Sequence, residues 1–542
     1  MSVPMRPDRF LDLLLAVVLI VLLFNLHLWV ITTGPEGSIA EISRDMLARQ
    51  NFMHPRLLGV NDFSHLPLPL WLTSLGMRLW GINTFGARFF IQISILVQVI
   101  FTYRIAMRLF GSSQVGLFAG LIYLSCPLVL ACSRYLSADI LLATFELAAI
   151  YYILLYHLEK LPAALYGLAI AFAGGLLCGG LHSLLLPITV GTYVLTFGPH
   201  NYGIHWRHGL AALIMAVGLT CFWFVHASHH LPDIWAFIRQ TFWQDTFFGP
   251  PRHPRWQYAI TFLLGSLPWW FLVLPNLASP VWQNPNVLPV CITWLALPLG
   301  FYTLTGSASL AALLPLVSGF SILVSYWVQF LTKQQVWRYS RWFAQIYGCL
   351  GMLAFMVPLG YQILGQPLQS TWPMVITALS TLGLVLLLYR FIRAGVRIRL
   401  VAMVLVPSFM LLLYGGYYTQ ANGPWKESAN VVSQIIQQRQ LESLPVLVYN
   451  EALPSLAFAL NKDTITINDG IVNEAYFQTT QGWEPRWIRL GNPEDNLYLR
   501  RLMTDPSVLV IPGDLPDRWN WVKINYPEME WAGRWQVLYR SQ

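Results

Sequence analysis

Charge is what this sequence has least of. Asp, Glu, Lys and Arg together make up 11% of 542 residues, where soluble chains carry roughly 25%, and an ordinary soluble globular protein is excluded. Cysteine is sparse too: Cys126, Cys132, Cys178, Cys221, Cys291 and Cys349 all lie in apolar runs, and the polar C-terminal segment has none. Such spacing fits neither a disulfide framework nor a zinc knuckle. The 38 glycines and 34 prolines show no collagen-like period. No internal repeat supports an inverted-repeat transporter.

What is abundant is apolar: 56% of residues are hydrophobic and 14% aromatic, which also excludes a disordered chain. A bilayer core needs about 20 apolar residues per helix, and about thirteen such runs can be placed. They centre on Phe10–Ile31, Arg88–Phe110, Val115–Cys132, Ile140–His157, Ala163–Cys178, Ser183–Phe197, Gly209–Ala227, Tyr258–Leu274, Val287–Thr303, Leu310–Leu331, Trp342–Ile363, Trp372–Ile392 and Leu400–Tyr418. The expected fold class is therefore an α-helical polytopic membrane protein.

The formal charge of +8 follows topology rather than nucleic acid. Arg104, Arg108, Lys160, Arg207, Lys333, Arg338, Arg341, Arg390, Arg393, Arg397 and Arg399 fall in connections on one side, which the positive-inside rule makes cytoplasmic together with the N-terminus. The opposite connections 179–182, 305–309 and 365–371 contain no Lys or Arg. The first loop, Thr32–Ala87, and the segment Gln420–Gln542 then face outward. The first run is long and has no small-residue cleavage site, so it reads as a retained helix.

Two parts are expected: residues 1–419 as the transmembrane domain with its loop 32–87, and 420–542 as a small extracytoplasmic α/β domain. In the second, a helical stretch Glu427–Gln440 precedes β-rich runs Pro445–Tyr449, Thr464–Ile467 and Ser507–Ile511. Its tryptophans, among them Trp483, Trp487, Trp519, Trp521, Trp531 and Trp535, suit core packing and the membrane interface better than sugar stacking.

Charges beside a bilayer are costly, so clusters on one face are site candidates. The first loop holds Glu36, Glu41, Arg44, Asp45, His54, Arg56, Asp62 and His65. The mouth of the fourth helix holds Arg134 and Asp139, and the connection before the eighth holds Asp245, Arg252, His253 and Arg255. Within the loop, Ser38–Gln50 places Ile39, Ile42, Met46 and Leu47 on one face, the spacing of an amphipathic helix in the interface. It either roofs a membrane-facing cavity or merely caps the bundle.

The run from Pro35-Glu36-Gly37-Ser38 through Arg44-Asp45-Met46-Leu47, then Pro55-Arg56-Leu57-Leu58-Gly59, His65-Leu66-Pro67-Leu68-Pro69-Leu70-Trp71 and Phe85-Gly86-Ala87-Arg88, resembles the first external loop of the lipid A aminoarabinose transferases. These are relatives of the protein O-mannosyltransferases with the GT-C fold. Ser133-Arg134-Tyr135 with Asp139, and His253-Pro254 followed by Tyr258 and Pro268-Trp269-Trp270, resemble later segments. The resemblance implies glycosyl transfer from a polyprenyl-phosphate donor to a lipid, glycan or protein acceptor outside a bacterial cytoplasmic membrane.

An acidic residue would deprotonate the acceptor hydroxyl and basic groups would hold the departing phosphate. Here Pro35-Glu36 stands where the family has Asp-Glu, Ser64-His65-Leu66 where it has Glu-Lys-Pro, and Asp245-Thr246 where it has an acid-histidine pair. The candidate catalytic residues are then Glu36 and Asp139. The candidate phosphate-holding residues are Arg56, His65, Arg134, Arg252, His253 and Arg255. No cofactor is certain; a divalent metal on His65, Asp245 and His253 is the weaker alternative to a hydrogen-bonded His253. A catalytically inactive relative that keeps the lipid-binding cavity as a binding or scaffold subunit stays open beside the enzyme.

Overall fold

The computed structural model describes residues 7–62, 65–197, 205–230, 253–276, 287, 290–306, 308–363, 372–391, 397–420, 429–469, 487–490, 493–514, 522 and 524–540. Among them the helices are α1 (Pro7–Leu23), α2 (Pro35–Arg49), α3 (Pro67–Trp80), α4 (Thr84–Phe110), α5 (Ser113–Ser125), α6 (Pro127–Cys132), α7 (Ala138–Glu159), α8 (Ala163–Gly179), α9 (His182–Phe197) and α10 (Trp206–His230). They continue with α11 (Arg255–Gly265), α12 (Trp270–Val273), α13 (Leu297–Thr305), α14 (Leu314–Val328), α15 (Lys333–Ile363), α16 (Trp372–Phe391), α17 (Ile398–Gln420), α18 (Ala429–Gln438), α19 (Pro454–Leu460) and α20 (Pro493–Thr504). Seven described helical segments are long and apolar enough to cross a membrane, and shorter apolar helices accompany them. The chain is a multi-pass membrane protein.

Proline explains where the expected runs break. Val115–Cys132 is two helices, because Pro127 lacks the N–H that α5 would need to continue and instead opens α6. Tyr258–Leu274 is divided likewise between α11 and α12, with Pro268 in the gap. Val287–Thr303 contains a π-helical segment, Val290–Ala296, ahead of α13.

Two compact units are present. One comprises Met1–Leu26 with Phe89–Ala421, the other His27–Arg88 with Asn422–Gln542. The first loop thus groups with the C-terminal segment.

Inside the first unit a polar seam joins helices that are otherwise apolar. Gln98 on α4 donates to Ile140 O at 2.7 Å and to Thr144 Oγ1 at 2.9 Å, and accepts from the Tyr123 hydroxyl at 2.5 Å. Thr102 and Ser318 pair at 2.8 Å between α4 and α14. In hydrocarbon no hydrophobic force draws helices together, so packing and such hydrogen bonds hold them.

In the second unit a six-stranded sheet runs β5-β4-β3-β6-β8-β7, with β3 (Val446–Tyr449), β4 (Thr464–Asn468), β5 (Trp487–Arg489), β6 (Val508–Pro512), β7 (Glu528–Ala532) and β8 (Trp535–Tyr539). Strands β5, β4, β3 and β6 are parallel; β8 and β7 are antiparallel. Val446, Val448, Val508 and Val537 face the Val432 and Ile436 side of α18, whereas Leu447, Leu509 and Ile511 face Leu499 and Met503 of α20. Both faces are covered, which is why these strands read as unbroken apolar runs. Trp487 and Trp535 are buried and Trp531 is exposed; Trp483, Trp519 and Trp521 lie outside the described residues.

Gln98→Leu strands the Tyr123 hydroxyl in an apolar interior. It should cost about 1–2 kcal/mol, to be read as a lower melting temperature in detergent with unchanged helical content.

Candidate functional site

The first loop is built around one buried ion pair. Pro35 opens α2 with its φ already set for a helix, and Glu36 follows in the first turn, where the helix dipole favours an anion. Arg88, in the first turns of α4, donates from Nε at 2.9 Å and from Nη2 at 2.6 Å to Glu36 Oε1. The Thr32 amide and hydroxyl donate to Oε2 at 2.8 and 2.9 Å. Arg88 also donates to Val30 O at 2.9 Å and to Trp29 O. Both charged side chains are at most 1% exposed. The carboxylate offered as a general base is therefore fully engaged by four donors.

Gly86 makes that arrangement possible. A Cβ there would stand 2.4 Å from Gly81 O and 3.1 Å from the Met77 Cα, so only glycine lets α4 start this close beneath the end of α3.

Helix α2 is buried on more faces than its periodicity predicts. Ile39, Ile42 and Met46 are covered, but so are Glu41, Arg44 and Asp45. Arg44 holds Glu41 through two bonds of 2.7 Å and reaches Asp463 at 2.6 Å; Arg49 holds Asp45. Burial pushes the Glu41 carboxyl up to about 7 against the opposing pull of Arg44.

Arg56 is half-buried in a two-residue hairpin, β1 (Arg56–Leu57) pairing with β2 (Val60–Asn61). Positive φ at Leu58 and Gly59 closes the turn. His65 Nδ1 lies 2.9 Å from Asp62 Oδ2, and Asp62 is buried. That contact fixes the imidazole orientation.

Arg134, Asp139, His253 and Arg255 belong to the transmembrane unit. Arg134 is buried and donates to Leu22 O at 2.7 Å, satisfying a carbonyl at the end of α1. Asp139 is half-buried in the first turn of α7, its amide capped by Ser137 at 3.3 Å. Among the described residues no hydrogen bond or ion pair uses its carboxylate. His253 stands edge-on to Tyr258 with ring centres 6.2 Å apart, and the Tyr258 hydroxyl donates to Gly306 O at 2.9 Å. Arg255 is exposed at the start of α11. Arg252 and Asp245 lie outside the described residues, and among the described residues no group of three or more metal-type ligands is present.

Three features were not singled out by sequence reasoning. Arg88 was visible only as the last residue of a motif. The Arg44–Asp463 contact joins positions 419 apart. Glu146 is an acid inside α7, 2% exposed, with Oε1 lacking a hydrogen-bond partner among the described residues; its only signal was an acid within an apolar run.

The family described as dolichyl-phosphate-mannose-protein mannosyltransferase matches residues 64–226. An undecaprenyl phosphate-alpha-4-amino-4-deoxy-L-arabinose arabinosyl transferase of Pseudomonas fluorescens is 27% identical over 53% of this chain and 51% of its own length. One from Pectobacterium atrosepticum is 26% identical over 64% of each. The chain thus spans about half to two thirds of the length of the curated relatives it matches. The crystal structure of ArnT from Cupriavidus metallidurans in the apo state superposes with a TM-score of 0.77 over 98% of both chains at 20% identity. Its form bound to undecaprenyl phosphate gives 0.75.

The fold is GT-C, and the resemblance to the lipid A aminoarabinose transferases holds. Against that family's pattern, the altered first-loop positions keep an acid and a potential cation: Glu36 is locked to Arg88, and His65 is paired with Asp62.

Arg88→Ala leaves Glu36 charged, buried and short of its main partner, a loss of about 3–5 kcal/mol; thermal unfolding should show it, with the first loop becoming protease-sensitive. Glu41 supplies a pH signature. Its folded carboxyl titrates near 7 instead of 4.5, so its contribution is fully present below the unfolded value and is lost as pH rises through the folded one. Glu41→Gln should flatten that limb of the melting temperature against pH.

Proposed function

We propose that the chain is a membrane glycosyltransferase that moves a sugar from a polyprenyl-phosphate donor to a lipid, glycan or protein acceptor on the outer face of a bacterial cytoplasmic membrane. The observation that carries this reading is the GT-C fold shared over 98% of the chain with a protein whose structure has also been solved bound to undecaprenyl phosphate. Sequence relatives named as arabinosyl transferases support it. The asymmetric distribution of Lys and Arg supports an N-terminus inside and a C-terminal domain outside.

Transfer requires a base at the acceptor hydroxyl and positive charge at the leaving phosphate. Of the two candidate carboxylates, Glu36 already accepts four hydrogen bonds, which would have to be broken before it could meet an acceptor hydroxyl. Asp139 is the better placed base: half-buried, in the first turn of α7, with no hydrogen bond to its carboxylate to be broken among the described residues. Arg56, His65, Arg134, Arg252, His253 and Arg255 remain the proposed phosphate-holding set. A second reading, a non-catalytic lipid-binding relative, is favoured by the same engagement of Glu36, which gives that residue a structural task.

The test is consumption of undecaprenyl-phosphate sugar by the purified full chain, followed by mass spectrometry. Asp139→Asn should slow turnover about 10²-fold or more without lowering the melting temperature. Retention of undecaprenyl phosphate with no turnover by the unsubstituted chain would favour the second reading.

A further inference from the structure

Helices α2 and α3 enclose a groove of about 270 Å³ lined by Leu47, Phe52, Trp71, Ser74, Leu75 and Arg78. It is small by the standard of ligand pockets, roughly 300–1,000 Å³, and apart from Ser74 and Arg78 its walls are apolar. Its shape is fixed from beneath: Ser74 donates to Ser43 O at 3.1 Å, and Trp71 Nε1 donates to Phe52 O at 2.7 Å. With those polar atoms paired inward, the groove offers an occupant mostly hydrocarbon contact.

Charge sets Arg78 apart. Arg44, Arg49 and Arg88, the other arginines of α2, α3 and the start of α4, are each bonded to carboxylates. Arg78 is exposed and, among the described residues, has no carboxylate partner. Around it Leu75, Leu79 and Trp80 are 44%, 59% and 51% exposed. Four residues beyond Trp80 the chain enters α4, which is long and apolar enough to span a bilayer. The end of α3 therefore stands at headgroup depth, where tryptophan and arginine side chains settle.

We propose that this groove binds one acyl chain of an anionic phospholipid, with the lipid phosphate on the Arg78 guanidinium. The apolar walls disfavour a sugar headgroup in the groove, and a cation with no carboxylate partner among the described residues favours a lipid of net negative charge over one whose phosphate is already offset by its own ammonium. The site is independent of the transferase reading, since Arg78 is outside the proposed catalytic and phosphate-holding residues.

Native mass spectrometry of the full chain released from nanodiscs of equal parts phosphatidylglycerol and phosphatidylcholine tests it. The unsubstituted protein should retain one phosphatidylglycerol in preference. Arg78→Gln should reduce that preference about tenfold, the loss expected for one charge-assisted hydrogen bond. Leu75→Trp, at a position exposed enough to accept the ring, should fill the groove and displace the bound lipid. Equal retention of the two lipids, or an unchanged preference in Arg78→Gln, would overturn the proposal. So would replacement of the phosphatidylglycerol by undecaprenyl phosphate offered at equal concentration, which would make the groove part of a donor site.

Discussion

Everything about the first loop depends on a guanidinium taken out of water. Arg88 is buried together with the carboxylate of Glu36, and two such charges are tolerable only when each finds nearly all its hydrogen bonds. The surrounding backbone supplies them: the carbonyls of Trp29 and Val30 on one side, the amide and hydroxyl of Thr32 on the other. The loop is thereby pinned at its entry and at its exit by the same five residues. Helix α2 starts where it does because Glu36 must meet Arg88, and α4 can approach because residue 86 has no side chain.

Polarity is handled on the same terms in the membrane unit. Gln98, Tyr123, Thr144, Thr102 and Ser318 satisfy one another across four helices, leaving apolar surface to face lipid. Glu146 stands out against this pattern, since among the described residues one of its oxygens has no partner. It is a buried ionisable group inside a membrane helix, but the internal repeats that an inverted-repeat transporter would show are not legible in the sequence.

The membrane spans were legible because hydrocarbon imposes a strong, local demand on composition. The apolar runs Ile140–His157, Ala163–Cys178 and Leu400–Tyr418 agree with α7, α8 and α17 to within about two residues at each end. The strands of the second unit were legible for the same reason, being covered on both faces. Helix α3 was not recognised, because Pro67 and Pro69 look like breakers, yet both sit in a first turn where the missing N–H has no partner to lose. The charge pairings were beyond reach altogether. Periodicity marks Ile39, Ile42 and Met46 as a buried face, but nothing local tells that Arg44 meets an aspartate near the far end of the chain.

That long-range meeting has a bearing on how the protein is made. The loop carrying Glu41 and Arg44 leaves the ribosome early, whereas Asp463, strand β4 and helix α19 follow only after the helices of the membrane unit have been synthesised. Until then the loop has no sheet to pack on, and its buried ion network is incomplete. The pairing of Arg44 with Asp463 therefore has to wait until the membrane helices have been made, and a chain stopped short of β4 would leave the first loop without that partner, whatever the state of its membrane helices.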